Sequence, residues 1–149
     1  MVWQLMKNKF PEESFNIREA KGEDYHRVMM VNESLKEYEF KNEYPWYLYF
    51  DIDMKEVTKP FNLPTKGEAE ILNTLEDRIT TLIKETVPYQ FIGRTTDNGH
   101  RELYFYVQSP KEVHAKLNDL IKQGNPVREF EYSMSEDEKW ENVNFFFDY

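Results

Sequence analysis

Arg94, His100, Arg101 and Glu102 lie on either side of Asn98-Gly99 in the stretch YQFIGRTTDNGHRELYFYVQ, the densest group of chemistry-bearing residues in the chain. Two guanidinium groups so placed suit a carboxylate or phosphate, with His100 available for proton transfer. The plainer reading of the same residues is a solvated hairpin tip with an ion pair across its strands. Alternation puts Arg94 on a face with Gln90 and Ile92, and Glu102 on a face with Tyr104 and Tyr106. An Arg94–Glu102 pair across the sheet is expected. Asp51 and Asp53, two apart on one strand face with Glu56 nearby, offer hard oxygen ligands of the kind magnesium or calcium takes. No loop of further oxygen donors accompanies them, and a solvated strand end explains them as well. His26, His100 and His114 have no metal-binding spacing. Neither metal nor cofactor is expected.

Four tyrosines complete the set. Tyr47 and Tyr49 on one strand and Tyr104 and Tyr106 on another are expected to share one sheet face, the face on which RNA-recognition folds stack bases. Asp51, Asp53 and Glu102 on that face, and the lack of a basic glycine-aromatic motif, argue against nucleic acid. Packing beneath a hairpin or terminal helix, or a docking surface for a partner protein, accounts for the rings more simply. Neither a nucleophile elbow nor a phosphate-cradling glycine loop is present in the sequence.

The elements that hold these residues are legible from periodicity. Residues 15–20 and 27–32 read as a hairpin around Lys21-Gly22-Glu23-Asp24, and 33–38 as one helical turn. From Trp46 to Met54 the period is two: Trp46, Leu48, Phe50, Ile52 and Met54 face one way, and Tyr47, Tyr49, Asp51 and Asp53 the other. Pro60 and Pro64 bound a loop. Thr65-Lys66-Gly67-Glu68 then forms a capping box before a helix with the stripe Ala69, Leu72, Leu75, Ile79, Leu82 and Ile83, which Pro88 ends. Asn98-Gly99 makes the tight turn of the hairpin described above. Ser109-Pro110-Lys111-Glu112 opens a second helix with Val113, Leu117, Leu120 and Ile121 inward and Gly124 at its end. A strand over 127–133 follows, then a third capping box, Ser135 to Glu138, before a terminal helix docking Trp140, Val143 and Phe147. The order from Trp46 is βαββαβ, which predicts an α+β, ferredoxin-like antiparallel sheet with helices on one face, plus an N-terminal β-hairpin and a C-terminal helix.

The chain has 149 residues, which fits one domain over 1–149. Hydrophobic residues make up 40% and aromatic ones 16%, enough for a real core and against disorder. A formal charge of -9 disfavours nucleic acid, because a phosphate backbone repels such a field. The absence of cysteine excludes disulfides, thiol catalysis and thiolate metal sites. Neither a signal-peptide core nor a membrane span is visible, and a cytoplasmic location is expected.

YPWYLYFDI, LPTKGEAEILNTLEDRI, FIGRTTDNGHRELYFYV and the acidic, tryptophan-containing tail resemble the bacterial domain of unknown function 695 family from about Phe15 to the end. The densest likeness is Gly93-Arg94-Thr95, Asn98 to Glu102, and Tyr104-Phe105-Tyr106. The resemblance implies no established activity, catalytic set or cofactor. More distantly, the chain is similar to acidic regulators that inhibit a ribonuclease by binding it, and that kinship implies a protein partner. The leading expectation is therefore an uncharacterised, noncatalytic protein-binding or regulatory module. The alternatives are an enzyme or small-anion receptor at the Arg94, His100, Arg101 and Glu102 hairpin end, and single-stranded RNA binding on the tyrosine face. An uncovered aromatic face would also invite a homodimer.

Overall fold

The protein is described here by a computed structural model covering residues 2–124 and 127–148. Helix α1 (Val2–Lys9) is followed by strands β1 (Phe15–Lys21) and β2 (His26–Asn32), then by β3 (Trp46–Asp53). A short two-stranded ladder, β4 (Val57–Thr58) with β5 (Leu63–Pro64), leads into helix α2 (Lys66–Thr86). Then come β6 (Tyr89–Asp97), β7 (His100–Val107), α3 (Lys111–Lys122), β8 (Phe130–Glu136) and the single turn α4 (Asn144–Phe147).

The main sheet is six-stranded in the order β1-β2-β6-β7-β3-β8, with every neighbouring pair antiparallel. The fold is thus α+β, and the opening hairpin widens the sheet instead of covering it, because β2 pairs with β6. On one face Leu72, Leu75, Ile79 and Ile83 of α2 and Val113 and Leu117 of α3 bury Leu48, Phe50, Ile52, Phe91, Leu103, Phe105 and Val107. The opposite face has its own core. Tyr104, Tyr106, Ile92 and Val31 lie there under Leu35, Tyr38 and Tyr44 from one irregular stretch and Trp140, Val143 and Phe146 from the chain's end.

Local sequence explains most boundaries and some departures. Asn98 and Gly99 both have positive φ, 45° and 84°, as a two-residue turn matching the twist of its strands requires. Thr65 caps α2 by accepting from the Glu68 amide at 3.2 Å, but Glu68 does not return the bond. The Thr65 amide instead donates to the Glu56 carbonyl, which leaves the Glu68 carboxylate for Arg128. Ser109 does not cap α3; Pro110 holds that position without a side-chain bond. The last strand begins three residues later than the pattern predicts, at Phe130, and runs on through Ser135 to Glu136. That consumes the third capping box, so Asp137 takes over its role, and a 3-10 turn (Glu141–Val143) and α4 replace a full terminal helix.

Candidate functional site

The hairpin does not gather its four polar residues into one place. A bulge in β6 between Phe91 and Gly93 adds one residue, so that Phe91 faces the helices, Ile92 the tyrosines, and Arg94 the helices again. Gly93 makes the bulge possible: a Cβ there would lie 2.2 Å from the Met30 carbonyl oxygen of β2. Beyond the bulge Arg94 pairs in register with Leu103, and Glu102 with Thr95. The expected Arg94–Glu102 ion pair is therefore replaced by contacts on opposite faces. Arg94 turns to α2, while Glu102 accepts a 2.5 Å hydrogen bond from the Tyr104 hydroxyl.

Arg94 and Arg101 do come together, and α2 holds them. Arg94 Nη1 donates to both oxygens of Glu76, at 3.0 and 3.1 Å, and Arg101 Nη1 donates to Asn73 Oδ1 at 2.6 Å. Asn73 Oδ1 also accepts from Arg94 at 3.3 Å, and Arg101 Nε donates to Thr96 Oγ1 at 3.2 Å. Asn73 and Glu76 stand one turn apart beside the buried stripe of α2, and Thr96 shares a strand face with Arg94. Their role escaped the sequence reading because it depends on the bulge; Gly93 inside an otherwise regular strand was the available signal.

Arg101 is only 4% exposed, and its hydrogen-bond partners among the described residues, Thr96 and Asn73, are both neutral. Burial, with repulsion from Arg94 added, lowers its guanidinium to about 10, the Glu76 carboxylate acting in the opposite direction. It stays charged at neutral pH. Beside it opens a pocket of about 250 Å³ where Arg94, Thr96 and Arg101 meet Ile17, Val28, Met30, Leu63 and Pro64. The β4–β5 ladder supplies the last two, and it is pinned to the hairpin turn by the Gly99 amide donating to Asn62 O at 2.8 Å. The chemistry available there is binding of an anion between two guanidinium groups.

His100 belongs to a different site. Its Nδ1 lies 2.9 Å from Asp51 Oδ1 and 3.1 Å from Asp53 Oδ1, at the edge of a cleft of about 560 Å³ shared with Glu129, Phe130 and Glu131. Possible ligand atoms of Asp51, Asp53 and His100 all lie within 4.8 Å of one another, so the histidine takes the place expected for Glu56. The hydrogen bond of His100 to Asp51 and its contact with Asp53 account for this approach. His26 contacts Glu19, and His114 contacts Tyr132 and Asn118.

The four tyrosines share one face as expected, Tyr47 opposite Tyr106 and Tyr49 opposite Tyr104. That face is covered. Tyr106 stacks on Trp140 at 4.5 Å between centroids and Tyr104 meets Phe146 edge-on at 4.9 Å, which leaves them 0% and 4% exposed. Neither ring can stack on a base or reach a partner, so the RNA and docking readings lose these two residues. Tyr47 and Tyr49 are half-buried. Burial first, and then the Asp137 or Glu102 carboxylate beside them, pushes the Tyr106 and Tyr104 phenols far above their ordinary range.

Among the described residues no helix is long and apolar enough to cross a membrane. No curated protein and no solved structure matches the chain. A family model described as a family of unknown function, DUF695, matches residues 13–149, nearly the whole chain, and the protein belongs to that family.

Proposed function

We propose that the protein is a noncatalytic receptor module that binds a small anion between Arg94 and Arg101. The observation that carries this reading is Arg101, a guanidinium almost fully withdrawn from water whose own partners, Thr96 and Asn73, carry no charge. A buried charge without a counterion is costly, and a bound anion offsets that cost. The single carboxylate in the cluster, Glu76, is engaged by Arg94. A ferredoxin-like reading of the core fits the same picture. Its support is the β3-α2-β6-β7-α3-β8 succession, with β3 between β7 and β8 in the sheet.

A melting experiment with an anion panel at constant ionic strength tests the proposal. At a concentration of 100 times Kd an anion stabilises the folded state by about 2.7 kcal/mol, so a true ligand moves the melting temperature by several degrees. The expected result is a rise for the wild type that Arg101→Gln lacks; no rise with any anion would remove the receptor reading. A second reading, docking of a basic protein segment, draws support from Asp51, Asp53, Glu102, Glu129 and Glu131 gathered at the end of the tyrosine-bearing face. Stabilisation by oligolysine in place of anions would move the assignment there.

A further inference from the structure

We infer that the occupant of the two-arginine pocket is a small aliphatic monocarboxylate, a carboxylate head on a short hydrocarbon body, in preference to a phosphate. The inference rests on the receptor reading above and narrows it by charge, wall chemistry and size.

Charge comes first. Arg94 and Arg101 contribute two positive charges and Glu76 one negative, so the cluster has one positive charge to be matched. On the same face of β1, Glu19 is already engaged by Lys21 and His26 and does not supply the missing anion. A monoanion matches that single charge, whereas a phosphate dianion brings one negative charge too many into a partly desolvated site. The planar fork of a guanidinium also fits the two oxygens of a carboxylate.

The walls point the same way. Apart from the two arginines and Thr96, everything lining the pocket is apolar: Ile17, Val28, Met30, Leu63 and Pro64. A tetrahedral oxyanion with acceptors on all sides would leave several of them facing hydrocarbon, each unpaired acceptor at a cost. A carboxylate directs both oxygens to the arginine end and its methylenes to the walls, where each buried methylene is favourable. The volume of about 250 Å³ is enough for a short-chain monocarboxylate such as hexanoate. Ile17 stands at the rim, 64% exposed, where a bound hydrocarbon would cover it.

The test is calorimetric titration of the intact protein with hexanoate, acetate, hexanamide and inorganic phosphate. Hexanoate is expected to bind at least tenfold tighter than each of the other three. Arg101→Gln should weaken hexanoate at least tenfold. Ile17→Trp, a change at an exposed position that narrows the mouth while leaving both arginines, should weaken hexanoate several-fold more than it weakens acetate. Phosphate binding as tightly as hexanoate, or hexanoate indifferent to Ile17→Trp, overturns the monocarboxylate and leaves the anion receptor standing. Hexanamide binding as tightly as hexanoate, or none of the four binding, overturns both. Should Arg101→Gln fail to fold, the comparison of probes on the wild type and on Ile17→Trp decides the matter alone.

Discussion

At the scale of single residues, the protein treats its two most buried arginines differently. Arg128 is met by a full partner: its Nε and Nη2 donate to the two oxygens of Glu68 at 2.7 and 2.5 Å, and the Lys55 amide adds a third bond to that carboxylate at 3.1 Å. Arg101, equally withdrawn, has only neutral partners. Removal of one member of a paired set strands the other, while removal of an unpaired charge relieves the molecule of it. Glu68→Gln is therefore expected to cost about 3–5 kcal/mol at neutral pH, whereas Arg101→Gln in the absence of ligand should cost far less. The Glu68 pair also fixes a pH dependence. Hydrogen bonding from Arg128, opposed by burial and helped by the backbone amides, holds the Glu68 carboxyl down to about 2 from an ordinary 4.5. A depressed folded value means the contribution is complete above 4.5 and is lost as pH falls toward 2. Denaturant titrations across that window should give a steeper loss of stability for the wild type than for Glu68→Gln. Parallel slopes would mean the pair contributes nothing through protonation.

At the scale of elements, alternation and capping made the six strands of the main sheet, both long helices and the Asn98-Gly99 turn legible in the sequence, but not the β4–β5 ladder around the Pro60–Pro64 loop. Trp46 to Asp53 shows why: four apolar residues on one parity and four polar or aromatic ones on the other leave a strand as the only fit. What periodicity cannot register is a single extra residue. The bulge at Ile92-Gly93 reverses parity for the rest of β6, and this one residue separates the predicted Arg94–Glu102 pair from the observed Arg94–Glu76 pair. The same limit hid the pocket, because its arginines converge only after the reversal and its walls come from β1, β2 and β5. The bulge is also testable. With a Cβ 2.2 Å from the Met30 carbonyl, backbone against backbone, Gly93→Ala must push β6 away from β2, and the strain of such overpacking is typically about 1–3 kcal/mol. The melting temperature should fall accordingly, and anion binding should weaken with it as Arg94 shifts. A fully stable Gly93→Ala variant would show that the strands separate at no cost and that the bulge does not set the site.

At the scale of the whole molecule, the sheet is covered on both faces by different means, two helices on one and two irregular stretches on the other. Sequence foresaw the first cover from the apolar stripes of α2 and α3, although Ile121, counted inward, is 41% exposed, and for the tyrosine face it set packing beneath a hairpin or terminal helix beside docking of a partner protein. Segments without a period give no signal of the surface they close over. Asp137 is the fastening of that second cover. Its carboxylate accepts from the Tyr106 hydroxyl at 2.6 Å and from the amides of Glu141 and Asn142, both at 3.0 Å, so it joins the sheet to the chain's last turns. Burial raises its carboxyl, but these donors outweigh it and leave a net lowering. Trp140, wedged between Tyr106 and Tyr38, depends on the fastening, with its indole donating to the Tyr44 carbonyl at 2.9 Å. Asp137→Ala removes a cap worth about 0.5–2 kcal/mol and leaves a buried tyrosine hydroxyl unpaired at about 1–3 kcal/mol. A fall in melting temperature of roughly 5–15 °C is expected for a chain of this size. Hydrogen exchange should accelerate at the Glu141 and Asn142 amides well before it does in β7, because the cover opens while the sheet holds. If exchange there stays slow and the melting temperature holds, the terminal turns are kept in place by aromatic packing alone. If instead the cover opens, the tyrosine face becomes reachable only in that opened state, and anion binding at the far face, which shares no contact with Asp137, should persist unchanged.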